Sequence, residues 1–94
     1  MSSNSTETIF IGKKPLMTYV TTAIIQLSTL PTVTIKARGL SIGHAVDVAQ
    51  IVMQRTKPAY TVGEIKIGSE SLVSTDGRNR SVSTIEIPLM RANQ

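Results

Sequence analysis

The chain has 94 residues, enough for one small domain with a modest core, and a formal net charge of +4. It has no cysteine, which excludes a disulfide or thiolate–metal framework, and no apolar run near the roughly 20 residues that span a bilayer. A pI near 9.9 favours an acidic partner such as nucleic acid, while one Phe and two Tyr supply little for stacking single-stranded bases.

Met1-Ser2-Ser3-Asn4-Ser5-Thr6 is polar and uncharged, unlike a secretory signal, which points to an intracellular protein with no membrane partner. Residues 1–8 are expected to form a disordered tail ahead of a single domain over 9–94. Ile9-Phe10-Ile11 is a short buried-strand pattern closed by Gly12. Pro15 suits the first position of a helix, where its missing N–H costs nothing. Leu16, Val20, Ala23, Ile24 and Leu27 recur at helical spacing, and Ser28-Thr29-Leu30-Pro31 ends that run. The helix is rich in β-branched residues, so packing rather than propensity must hold it.

Val33-Thr34-Ile35-Lys36-Ala37 alternates as a half-buried strand, and Arg38-Gly39 makes the turn. Ser41 is a candidate N-cap. Ile42, Ala45, Val46, Ala49, Val52 and Met53 form a second helical stripe that Pro58 ends. From Val62 the period returns to two, with Ile65 and Ile67 opposite Glu64 and Lys66. Asp76-Gly77 marks a hairpin turn. Ser83, Ile85, Ile87 and Leu89 then alternate with Val82, Thr84 and Glu86, and Pro88 suggests a sheet edge or a strand terminus. The order βαβαββ predicts an α+β domain, with a mixed four-stranded sheet and two helices on one face.

Charge is unevenly distributed. Residues 8–46 contain no acid, and apart from His44 their charged groups are two basic pairs, Lys13-Lys14 and Lys36 with Arg38. Each pair follows a strand pattern and precedes a helix pattern. In a βαβ unit the two strands are parallel, so their C-terminal ends and the following helix N-termini share one edge of the sheet. Unpaired N–H groups, a positive dipole end and four cations would make that edge bind anions, and its width suits a polyanion. The last hairpin has arms of about 10 residues, or about 33 Å, longer than its fading apolar pattern can anchor. It is expected to project and to carry Arg78 and Arg80 toward a minor groove.

No catalytic constellation stands beside these signals. His44 is the lone histidine, with Asp47 three residues on, and no nucleophile or metal cluster completes a site. Gly12-Lys13-Lys14 lacks the upstream glycine of a Walker loop. An enzyme is not expected, nor a cofactor or metal.

Ile11-Gly12-Lys13-Lys14-Pro15 with Tyr19-Val20, then Ile35-Lys36-Ala37-Arg38-Gly39, Ala45-Val46-Asp47, Gly68-Ser69 and Arg80-Ser81-Val82-Ser83-Thr84-Ile85-Glu86-Ile87, resemble the Alba (Sac10b) family. These are small basic chromatin proteins of archaea, and the likeness runs through nearly the whole chain. It implies a homodimer that binds double-stranded DNA and RNA with little sequence preference, packages the chromosome in the nucleoid and resides in the cytoplasm. It aligns Lys13 and Lys14 with the family's lysine pair, of which one, taken as Lys13, is acetylated to weaken DNA binding. Lys36 and Arg38 align with the loop motif, Arg78 and Arg80 with the hairpin. An RNA-binding subunit of a ribonucleoprotein, such as RNase P or a ribosome-associated factor, would use the same face.

Three positions depart from the family pattern. Leu40 and His44 stand where basic residues are common in the family, and Thr56 stands near the position where a bulky apolar residue often mediates contact between dimers in the family. The departures suggest a divergent paralogue, able to form a heterodimer with a more typical member.

Overall fold

The computed structural model describes residues 6–92. They form β1 (Thr6–Phe10), α1 (Leu16–Leu27), β2 (Thr32–Arg38), a 3-10 turn (Gly39–Ser41), α2 (Ile42–Thr56), β3 (Tyr60–Val62), β4 (Lys66–Val73) and β5 (Asn79–Arg91). Strand β1 starts at Thr6, ahead of Ile9, so residues 6–8 of the expected tail are strand, and residues 1–5 lie outside the described residues. Thr6 to Phe10 pair parallel with Thr32 to Lys36, and this ladder orders the segment.

Strand alternation sets the two faces of the sheet. Val33, Ile35 and Ala37 of β2 are buried, as are Ile85, Ile87 and Leu89 of β5, while Thr34, Lys36, Thr84 and Glu86 between them are half-buried. Both helices pack on the first set. Helix α1 contributes Tyr19, Val20, Ala23 and Leu27, and α2 contributes Ala45, Val48, Ala49 and Val52. Each large aliphatic side chain so enclosed stabilises by roughly 1.5–3 kcal/mol. The Tyr60 hydroxyl donates to the Leu27 carbonyl oxygen at 2.8 Å, tying β3 to the end of α1. Among the described residues no helix is long and apolar enough to cross a membrane.

The sheet is mixed, as expected, but has five strands rather than four. Its order is β1-β2-β5-β3, with β4 also on β5. Strands β3 and β4 occupy one edge and are separated by Gly63–Ile65. The cause is Pro88, which lies inside β5 rather than at an edge or terminus. It faces Thr34 across one side, and its carbonyl accepts from the Gly63 N–H at 2.8 Å on the other. The N–H that proline lacks would have pointed to that same side, so the ladder breaks there. Val62 pairs with Leu89 and Lys66 with Glu86, so three residues oppose two across a bulge.

Beyond the core the β4–β5 hairpin projects. Every residue of β4 is exposed, and the molecule measures 50 × 32 × 20 Å. Asp76-Gly77 makes its turn, with Gly77 at a φ of +85° that favours glycine.

Candidate nucleic-acid interface

Tyr19 shapes the first basic loop. Its ring is buried in α1, and its hydroxyl oxygen accepts the backbone N–H groups of Gly12 at 2.8 Å and Lys14 at 3.0 Å. The loop thus wraps one phenol oxygen, with the Lys13 and Lys14 side chains exposed. Pro15 stands just before α1 rather than inside it, and no side chain caps that helix. Ser41 occupies the N-cap position of α2 but makes no capping bond. Neither first turn holds an acid, so both helix starts keep their positive dipole ends.

The two basic pairs follow the ends of neighbouring parallel strands. Phe10 pairs with Lys36 at the end of the parallel ladder, and the Ile11 N–H donates to the Lys36 carbonyl at 2.9 Å. The chain then turns at Gly39, whose φ of +60° is a left-handed conformation. A Cβ there would also stand 3.4 Å from Val82 Cγ1.

The edge is not free of acids, however. Lys36 Nζ lies 3.6 Å from Glu86 Oε2, and Arg38 Nη1 lies 3.0 Å from Glu70 Oε1. Both carboxylates come from the C-terminal third of the chain: β5 sets Glu86 beside β2, and β4, on the far side of β5, brings Glu70. Glu86 is the direct cross-strand partner of Lys36. Sequence reading missed them because the acid-free interval is a local property, whereas register is not. The signal available was Glu86 itself, at the outward-facing phase of an alternating strand. Exposed pairs of this kind contribute about 0–1 kcal/mol, little enough for a phosphate to displace the carboxylate. Among the described residues Lys13, Lys14 and Arg80 form no ion pair.

Arg78 and Arg80 stand apart from this cluster. Arg38 pairs with Thr84, and Arg80 lies four residues further along β5, about 13 Å away at about 3.3 Å per residue. Alternation puts Arg80 on the sheet face of Thr84 and Glu86. At the tip, the Asp76 carboxylate accepts from the Ser74 hydroxyl and, at 3.1 Å, from the Arg78 N–H. The Ser74 hydrogen bond is the main cause that holds its carboxyl below the ordinary carboxylate range. Arg78 Nε also sits 3.7 Å from that carboxylate, so the tip's first cation is partly neutralised.

A second surface is apolar. Val46 was expected in the core stripe of α2 but is 38% exposed, and with Ala49, Met53, Val62, Ile65 and Ile87 it lines a cleft of about 290 Å³. Ile65 is half exposed beside it, and Ile67 more so. His44 and Asp47 are exposed on α2, and among the described residues no group of three His, Cys, Asp or Glu could hold a metal ion.

The motifs, the fold and the register can be set against known proteins. The Alba family model matches residues 7–69, which covers both basic pairs and the start of the hairpin. A DNA/RNA-binding protein Alba from Nitrosopumilus maritimus is 66% identical over 92 residues, covering 97% of each chain. Alba from Thermoplasma volcanium superposes with a TM-score of 0.82 at 41% identity, over 89% of this chain and 99% of that one. ALBA1 from Trypanosoma brucei, at 20% identity, shares the fold with a TM-score of 0.72 over 92% of this chain and 69% of its own. Family model, near full-length identity and superposition agree with the lysine pair, the Lys36–Gly39 turn and the long hairpin: the chain belongs to the Alba family.

Proposed function

We propose that this protein binds double-stranded DNA, and RNA, through phosphate contacts made by Lys13, Lys14, Lys36 and Arg38, with little regard to sequence. The observation that carries the reading is the shared edge. Two basic pairs stand at adjacent parallel strand ends, beside two helix starts that have neither an acid nor a capping side chain. The name of the Nitrosopumilus relative, a DNA/RNA-binding protein, supports it. Arg78 and Arg80 extend the contact along the duplex from the hairpin.

The apolar cleft of α2 and β3 supports a homodimer, in which two basic edges and two arms would track one duplex and compact it into a nucleoid-associated, cytoplasmic complex. Lys13 is exposed and forms no ion pair among the described residues; its acetylation would remove one charge and with it one phosphate contact. Leu40 is fully exposed at the start of the second loop, where a cation would add another contact. That weaker face fits a paralogue that pairs with a more basic member, which native mass spectrometry of co-refolded chains would detect.

Lys13→Ala with Lys14→Ala should lower the slope of log affinity against log salt by about 2, at roughly 0.9 per lost phosphate contact. A titration of one duplex at several salt concentrations measures it. An unchanged slope would remove the lysine pair from the interface and this reading with it.

A further inference from the structure

The sheet face that the helices leave bare holds one aromatic ring. Alternation turns Ile9 and Ile11 into the core and Phe10 outward, where it is 71% exposed. The exposed ring leaves a π-face open to a stacking partner. Lys36 Nζ lies 6.0 Å from the ring centroid. Glu86 is next across the sheet, 3.6 Å from that ammonium, and Arg38 with Glu70 forms the adjoining pair. Together with Thr84 these residues line a groove of about 510 Å³, within the size range of small-ligand sites.

The mixture of groups selects among ligands. A duplex phosphate can displace Glu86 or Glu70 from its cation, as at the edge described above, but a duplex keeps its bases stacked and leaves the Phe10 ring unused. An unpaired nucleotide offers something to each: a π-face for Phe10, a phosphate for the cations, and an exocyclic amino group for a carboxylate. We propose that this groove is a stacking site for one unpaired base of single-stranded RNA or DNA. Phe10 stacks the base, Lys36 and Arg38 hold its phosphate, and Glu86 accepts from its amino group. One well-placed ring suffices for one base, so the scarcity of aromatics in the composition does not oppose it. The site rests on the nucleic-acid binding proposed above and adds to it a ligand form and a bias. Adenine, cytosine and guanine carry an amino group, whereas uracil and thymine do not.

The test compares a labelled oligo(A), an oligo(U) and a blunt DNA duplex at one salt concentration, using wild type, Phe10→Ala and Phe10→Tyr. Base–aromatic stacking is worth about 1–3 kcal/mol per base by alanine substitution, so Phe10→Ala should weaken oligo(A) binding by about 5- to 150-fold. Phe10→Tyr should restore it, duplex affinity should stay within about twofold, and wild type should prefer oligo(A) to oligo(U). Equal losses on strand and duplex, or no loss on oligo(A), would overturn the site. Should Phe10→Ala not fold, the wild-type protein still answers by NMR, because Phe10 is the chain's one phenylalanine. Its ring signals should move upfield on addition of oligo(A) and stay put with duplex. Unmoved ring signals, while the Lys13 and Lys14 amides shift, would overturn it equally. The salt slope of the lysine double variant on duplex reports on the phosphate edge separately, so either reading can fail without the other.

Discussion

The hydroxyl of Tyr19 has two backbone N–H groups to satisfy, and both belong to the loop that presents Lys13 and Lys14. Tyr19→Phe keeps the ring in the core and removes only the acceptor. Leaving partly buried donors without their partner costs about 1–3 kcal/mol, here moderated by solvent at the loop. The variant should fold, lose about 1 kcal/mol in urea denaturation, exchange its Lys14 amide faster, and bind duplex more weakly because the lysine pair is less fixed. Unchanged amide exchange would mean that the loop is held by something other than the phenol. Tyr19 was visible in the sequence only as a motif residue next to Val20. It lies at helical spacing from Leu16 and Ala23, so its burial follows from the same stripe. Its role as acceptor exists only once β1 and α1 are brought together, which no local pattern encodes. Glu70 and Glu86 were hidden in the same way, because each is remote in sequence from the cation it pairs with.

The elements were largely legible because two signals agree along most of the chain. Period-2 burial in β2 and β5 and period-3.6 burial in α1 and α2 match the apolar spacing read from the sequence. The misreadings fall where a backbone detail overrides the side-chain pattern. Pro88 reads as a residue of a sheet edge or a strand terminus, yet it sits in an interior strand, because the bulge at Gly63–Ile65 asks for no N–H there and only donates to its carbonyl. Gly63 permits that crossing: a Cβ there would stand 2.8 Å from Met90 Cε and 3.2 Å from Pro88 Cγ. The hairpin follows the opposite logic. Strand β4 buries nothing, so it depends on its ladder to β5 and on the turn bonds around Asp76. Deleting Asp76 to Asn79 and closing the turn should therefore leave thermal stability within about 1 kcal/mol while lowering duplex affinity, since exposed segments add little to the fold. Circular dichroism and a duplex titration together check it. If the deletion unfolds the domain, the arm is structural after all.

At the scale of the whole molecule, the surfaces divide the work proposed for them. One end gathers the helix starts and the basic loops, the bare sheet face offers the Phe10 groove, which shares Lys36 and Arg38 with that end and Glu70 with the base of the arm, and the arm projects beyond it. The remaining feature is apolar: Val46, Met53, Val62 and Ile65 form a face that a solitary chain would leave in water. A small domain has little other means of covering it, and a self-complementary patch on α2 and β3 is what a twofold dimer uses. Ile65 is the residue to change, because it is half exposed and lies in the break between β3 and β4, outside the sheet ladder. In the proposed homodimer, Ile65→Glu would set a carboxylate from each chain against the partner's apolar face, with little effect on the folded monomer. Sedimentation equilibrium should give twice the chain mass for wild type and the chain mass for the variant. Duplex affinity should then fall by well over the effect of losing one contact, because two linked basic edges bind with an effective local concentration that a monomer lacks. A variant that keeps the dimer mass would move the interface away from α2 and β3. One that becomes monomeric yet binds as before would show that a single basic edge and arm are sufficient.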